Sequence, residues 1–204
     1  MIEQRILKSD AAELRAYTED SKMIVGGYAA KYNVESRLLA EFNKHFTEIL
    51  LKGAFSERLN DDVYFTFNHS KDRIYARTIN NTLFLEEDEI GLKFRAILNE
   101  TTGAIDLFKM IERGDVFENS FAFIVDNNGQ NWERTSNGDN IRKISRISRL
   151  IDISTVTHAA YPETEISVVR GLNDYFEEIP QEINKEPYED MVKVLKIKNN
   201  LYKL

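Results

Sequence analysis

The apolar residues between positions 23 and 157 fall into short runs rather than long stripes, and this most constrains the fold. Runs rich in Val, Ile, Phe and Tyr occupy 23–32, 63–68, 74–79, 82–86, 91–98, 119–126, 141–147 and 150–157. Each has the length of a strand, and each alternates with polar residues or is continuously apolar. Turn formers separate them: Asn80-Asn81, Gly91, Asn127-Asn128-Gly129 and Asn137-Gly138-Asp139. Phe121 to Val125, followed by Asp126-Asn127-Asn128-Gly129 and then Trp132, predicts a β-hairpin with a longer loop. Two stretches depart from this pattern. Residues 103–113 put Ile105, Phe108 and Ile111, with Leu107, on one helical stripe; Thr101 or Thr102 can cap its start and Gly114 its end. A second helix is expected within 43–60, with Phe46, Ile49, Leu50 and Phe55 facing the core around Gly53. The expected class is mainly β with a few helices, an α+β protein.

A chain of 204 residues predicts one domain with room for an appendage. Composition changes near Gly171: residues 173–190 hold seven acids and one lysine, and 191–204 hold four lysines and no acid. The division read from this is a body over 1–172 and, over 173–204, an acidic linker plus a short C-terminal helix or tail. In that helix Val194, Leu195, Leu201 and Tyr202 would share a side. The absence of cysteine excludes disulfides, thiolate zinc sites and a cysteine nucleophile. A net charge of −7 argues against nucleic acid as a partner and gives no attraction to anionic lipid. The charged N-terminus does not read as a signal peptide, and no apolar run approaches the ~20 residues that cross a bilayer. A soluble protein in a reducing interior is expected, with no membrane partner.

No cofactor or metal is expected. Gly26-Gly27 lies within a strand pattern and lacks phosphate-loop spacing, there is no HExxH, and Glu86-Glu87-Asp88-Glu89 beside Gly91 reads as a solvated hairpin turn. The three histidines are His45, His69 and His158. His69 ends an apolar β run and opens into a polar loop, a suitable place for a general base because imidazole titrates near neutral pH, although a hydrogen-bonded surface histidine has the same pattern. Ser120 opens a strand after the turn Arg113-Gly114-Asp115, and a serine needs an adjacent base to become a nucleophile. Asp152 is a carboxylate within an apolar strand, so it requires a partner: either a histidine to orient, or an ion pair with Arg146 or Arg149. His158 follows six residues later. On a continuing strand it would stand ~20 Å from Asp152, so only one of the two can touch His69. His45 reads as an exposed bystander.

The ordered motifs GYAAKYN (27–33), LLKGAF (50–55), FNHS (67–70), GLKF (91–94), RGDVFENSFAF (113–123), LIDISTVT (150–157) and AAYPET (159–164) resemble those of the prohead proteases of tailed bacteriophages. These are capsid maturation serine proteases, distantly similar in fold to the herpesvirus assemblins. The resemblance runs from about residue 24 to about 170. It implies a closed or partly closed antiparallel β-barrel with helices packed around it. It also implies a serine endopeptidase with His69 as base, Ser120 as nucleophile and Asp152 as the acid orienting His69. Many relatives carry glutamate at the last position. His158, where an apolar residue before Pro-Ala is usual, is the alternative third member, by analogy with the His-Ser-His order of assemblins. The implied substrates are the scaffold or the scaffold-like part of the major capsid protein, cut inside the assembling procapsid in the host bacterial cytoplasm. Self-cleavage, for which 173–190 is a suitable place, and self-association are implied as well. A non-catalytic procapsid assembly or scaffolding protein on the same fold is the alternative.

Overall fold

A computed structural model of the chain describes residues 2–7, 13–41 and 44–157. The described residues form three sheets and one α-helix. The first sheet has five strands in the order β1 (Glu3–Leu7), β10 (Glu118–Ile124), β13 (Arg149–Val156), β6 (Tyr64–Phe67) and β7 (Ala76–Arg77). The second runs β11 (Gln130–Arg134), β12 (Asn140–Ile144), β5 (Lys44–Leu50) and β4 (Leu39–Glu41). The third runs β2 (Arg15–Glu19), β3 (Lys22–Lys31), β9 (Gly91–Ile97) and β8 (Leu83–Glu87).

The mainly-β expectation holds, but the sheets do not close into a barrel, and they are not wholly antiparallel. Each sheet ends on two separate edge strands. The run expected over 74–79 shrinks to the two residues of β7, because a 3₁₀ turn over Thr78–Asn80 follows and ends on Asn81 in the left-handed region (φ 54°). So short a strand offers little ladder on which to continue the sheet. Two pairs, β13 with β6 and β12 with β5, are parallel.

Two further expectations are corrected. The segment proposed as a second helix contains β5, whose burial alternates: Phe46, Glu48 and Leu50 are buried while Thr47 and Ile49 are half-buried. Period two is thus the true period, and turns around Gly53 (φ 88°) follow the strand. Phe121–Val125 and Trp132 do not form a hairpin, since β10 is already paired on both sides, with β1 and β13, and β11 pairs with β12 instead.

The helix α1 (Thr102–Arg113) is capped as its sequence suggests: the Thr101 side chain accepts from the Ala104 N–H, and Gly114 (φ 84°) returns its N–H to the Ile111 carbonyl. Its buried stripe is Ala104, Leu107, Phe108 and Ile111, while Ile105 is 37% exposed. That stripe joins a core in which Phe55 meets Phe121 edge-on (centroids 5.6 Å apart) and Phe65 stacks on Phe94 (5.4 Å). A buried charge cluster ties β1 to the second sheet. Arg5 Nε donates to Glu48 Oε1 (2.8 Å) and Arg142 Nη1 to Glu48 Oε2 (2.8 Å), while Glu3 accepts from both arginines.

Candidate active site

Three polar side chains converge where β10, β13 and the end of β6 adjoin. In the ladder Ser120 lies opposite Ser154, and Ala122 opposite Asp152; Ser154 also lies beside Thr66 of β6. Because side chains alternate along a strand, Ser120, Asp152, Ser154 and Thr66 share one face. The residues between them, Phe121, Ile153 and Phe65, are buried in the core. The register shifts between Ala122 and Phe123, whose partners are Asp152 and Leu150, so Ile151 is an extra residue on β13 next to Asp152. A bulge of this kind bends a strand locally and re-aims the neighbouring side chain.

His69 enters from the turn after β6. Its Nε2 lies 2.7 Å from Ser120 Oγ and its Nδ1 lies 2.6 Å from Asp152 Oδ1. Ser120 is 0% exposed, and the side chains of His69 and Asp152 are each 11% exposed, so water scarcely competes for these bonds. The partner of Asp152 is therefore His69 and neither Arg146 nor Arg149. A hydroxyl, an imidazole and a carboxylate in this order can move a proton off the hydroxyl and hold the resulting imidazolium. His158 lies outside the described residues, as do the 172/173 boundary and the C-terminal segment. His45 lies on β5 and is exposed.

Sequence reasoning assigned no role to Ser154. Its hydroxyl accepts from the His69 main-chain N–H (2.9 Å) and from Thr66 Oγ1 (3.0 Å). The spacing Asp152-x-Ser154 within an apolar strand was the available signal, since it puts two polar groups on one face.

The acidic run forms the expected hairpin between β8 and β9, but it is not merely solvated. Tyr32 donates to Glu87, which also accepts from the Phe55 N–H (3.1 Å) and Ser56 Oγ (2.5 Å). Tyr28 donates to Asp88 (2.7 Å), and that bond, with burial, pushes the Tyr28 hydroxyl up to about 12. Burial and then the Glu87 hydrogen bond raise Tyr32 further. Among the described residues no group of three or more histidines and carboxylates is arranged to hold a metal ion. No described helix is long and apolar enough to cross a membrane.

A family model described as caudovirus prohead serine protease matches residues 10–178. The chain belongs to that family of serine proteases. Among solved structures it is similar to the capsid assembly protease of bacteriophage T4, at 13% identity and a TM-score of 0.40, over 77% of this chain and 99% of that one. No curated protein matches.

Proposed function

We propose that the chain is a serine endopeptidase of procapsid maturation that cuts scaffold or the scaffold-like part of the capsid protein, and also itself. The observation that carries this is the pair of bonds made by one imidazole, 2.7 Å to Ser120 Oγ and 2.6 Å to Asp152 Oδ1. Ser120 Oγ attacks the scissile carbonyl as its proton passes to His69 Nε2. The C–N bond then breaks, and the imidazolium returns that proton to the leaving amine. Water repeats the cycle on the acyl-enzyme and frees the serine. Asp152 accepts from Nδ1–H throughout, which keeps Nε2 free as the base and stabilises the imidazolium.

The test is co-expression with the cognate capsid and scaffold proteins, followed by intact-mass spectrometry. The wild-type chain is expected to give shortened products and Ser120→Ala none; uncut proteins in both cases would sink the proposal and favour a non-catalytic assembly role. Asp152→Ala is expected to lower the cleavage rate by as much as ~10⁴-fold, since an imidazole in the wrong tautomer is a poor base. His158→Ala is expected to leave cleavage near wild type. The reverse ranking would make His158 the third member.

A further inference from the structure

We propose that Ser154 is a positioning residue for His69, and that with Thr66 and Asn68 it holds the histidine main chain in the one conformation that lets the imidazole span Ser120 and Asp152. This rests on the protease reading above.

Asn68 and His69 are both left-handed, with φ of 51° and 53°. Residues with a Cβ rarely adopt this region, and two in succession persist only where surrounding bonds hold them. The turn is held on every side. The Asn68 N–H donates to the Thr155 carbonyl (2.9 Å) and the Ser70 N–H to the Phe67 carbonyl (3.1 Å). Asn68 Oδ1 accepts from the Thr157 N–H (3.0 Å). The His69 N–H donates to Ser154 Oγ (2.9 Å).

That hydroxyl is fully engaged, because it also accepts from Thr66 Oγ1 (3.0 Å) and donates to the Thr155 carbonyl (3.3 Å). Ser154 is 0% exposed, so water has no ready access to replace it. β13 therefore grips His69 twice: Asp152 takes the ring, and two residues along Ser154 takes the main chain. With the second grip gone, the left-handed turn can relax and carry Nε2 away from Ser120 while every other group of the triad remains.

The experiment measures two things in the full chain: labelling of Ser120 by a fluorophosphonate, and the downfield imidazole N–H proton of the His69–Asp152 bond, identified by its loss in Asp152→Ala. In Ser154→Ala, labelling is expected to slow about a hundredfold, the scale on which small misplacements of a reacting group act. The proton resonance is expected to broaden or vanish while thermal unfolding stays cooperative. Wild-type labelling with the resonance intact overturns the proposal. Should Ser154→Ala not fold, Asn68→Gly carries the test. Glycine takes the left-handed φ freely but removes the clasp on Thr157, so labelling should slow roughly fivefold, the worth of one hydrogen bond. An unchanged rate and resonance in that variant overturn the proposal equally. If the wild-type chain is not labelled although the resonance is present, the protease reading fails, and loss or retention of that resonance in Ser154→Ala still decides the positioning role.

Discussion

Among the described residues Arg142 is the largest side chain with no exposed surface, and its guanidinium lies between the carboxylates of Glu3 and Glu48. Replacing it with methionine keeps the volume but leaves Arg5 alone to balance two buried acids. Removing one partner from such a cluster costs about 3–5 kcal/mol, so urea denaturation of Arg142→Met should show a loss of that size. Glu48 adds a pH signature. Burial by itself would raise its pKa, but Arg5 and Arg142 outweigh this and hold the carboxyl below the usual carboxylate range. A carboxyl depressed in the folded state stabilises it fully above the unfolded value of about 4.3, and that share is lost as pH falls through the folded value. The stability gap between wild type and Glu48→Gln should accordingly hold steady from about pH 7 to about pH 5 and narrow as unfolding is measured at pH values below about 4. At this scale the sequence was legible in one respect: His69, Ser120 and Asp152, singled out from family-like motifs, lie within hydrogen-bond distance of one another through the imidazole. The positioning role proposed for Ser154 was not legible, because its hydroxyl binds the His69 main-chain N–H, whose unusual φ no residue name announces.

Among the elements, α1 was legible almost to the residue because its signals are local: a threonine cap, a glycine stop and a 3.6-residue stripe. The strands at 15–19 and 39–41 were missed, and so were β1 and β5. In the last two the reason is specific. Glu3 and Arg5 of β1 and Glu48 of β5 face inward, so charge occupies positions where a strand pattern requires apolar residues. Only the cluster described above, assembled from distant strands, makes those positions habitable. The hairpin expected at 121–132 failed for a related reason, since pairing partners are chosen by the whole sheet and not by the intervening loop. Gly91 offers an element-scale test. A Cβ there would stand 2.0 Å from the Ala30 carbonyl oxygen, where β9 lies against β3. Backbone must move to admit it, and overpacking of this sort costs about 1–3 kcal/mol or more. Gly91→Ala should thus lower the urea midpoint by more than Thr101→Ala, which removes a helix cap worth about 1 kcal/mol.

For the whole molecule, a protease body ending near residue 172 remains a proposal, and the family match runs a little further, to residue 178. A chain ending at 178 is expected to keep wild-type labelling of Ser120 by a fluorophosphonate; loss of labelling with folding intact would place a needed group in 179–204. The class of fold was legible from strand lengths, whereas the failure of the described sheets to close into a barrel was not, because closure depends on which edges meet. The parallel pairing of β13 with β6 has a consequence in time. The contacts of His69 with Ser120 and Asp152 join residues 51 and 83 positions apart, and both His69 grips are on β13, the last strand in chain order among the described residues. Chains emerge N-terminus first, and pairings over such separations form late. A growing chain therefore holds Ser120 and His69 before Asp152 is made and can join them. On the proposed mechanism β13 serves as the fuse: a copy that stops short of it lacks both Asp152 and Ser154 and is expected to be inert.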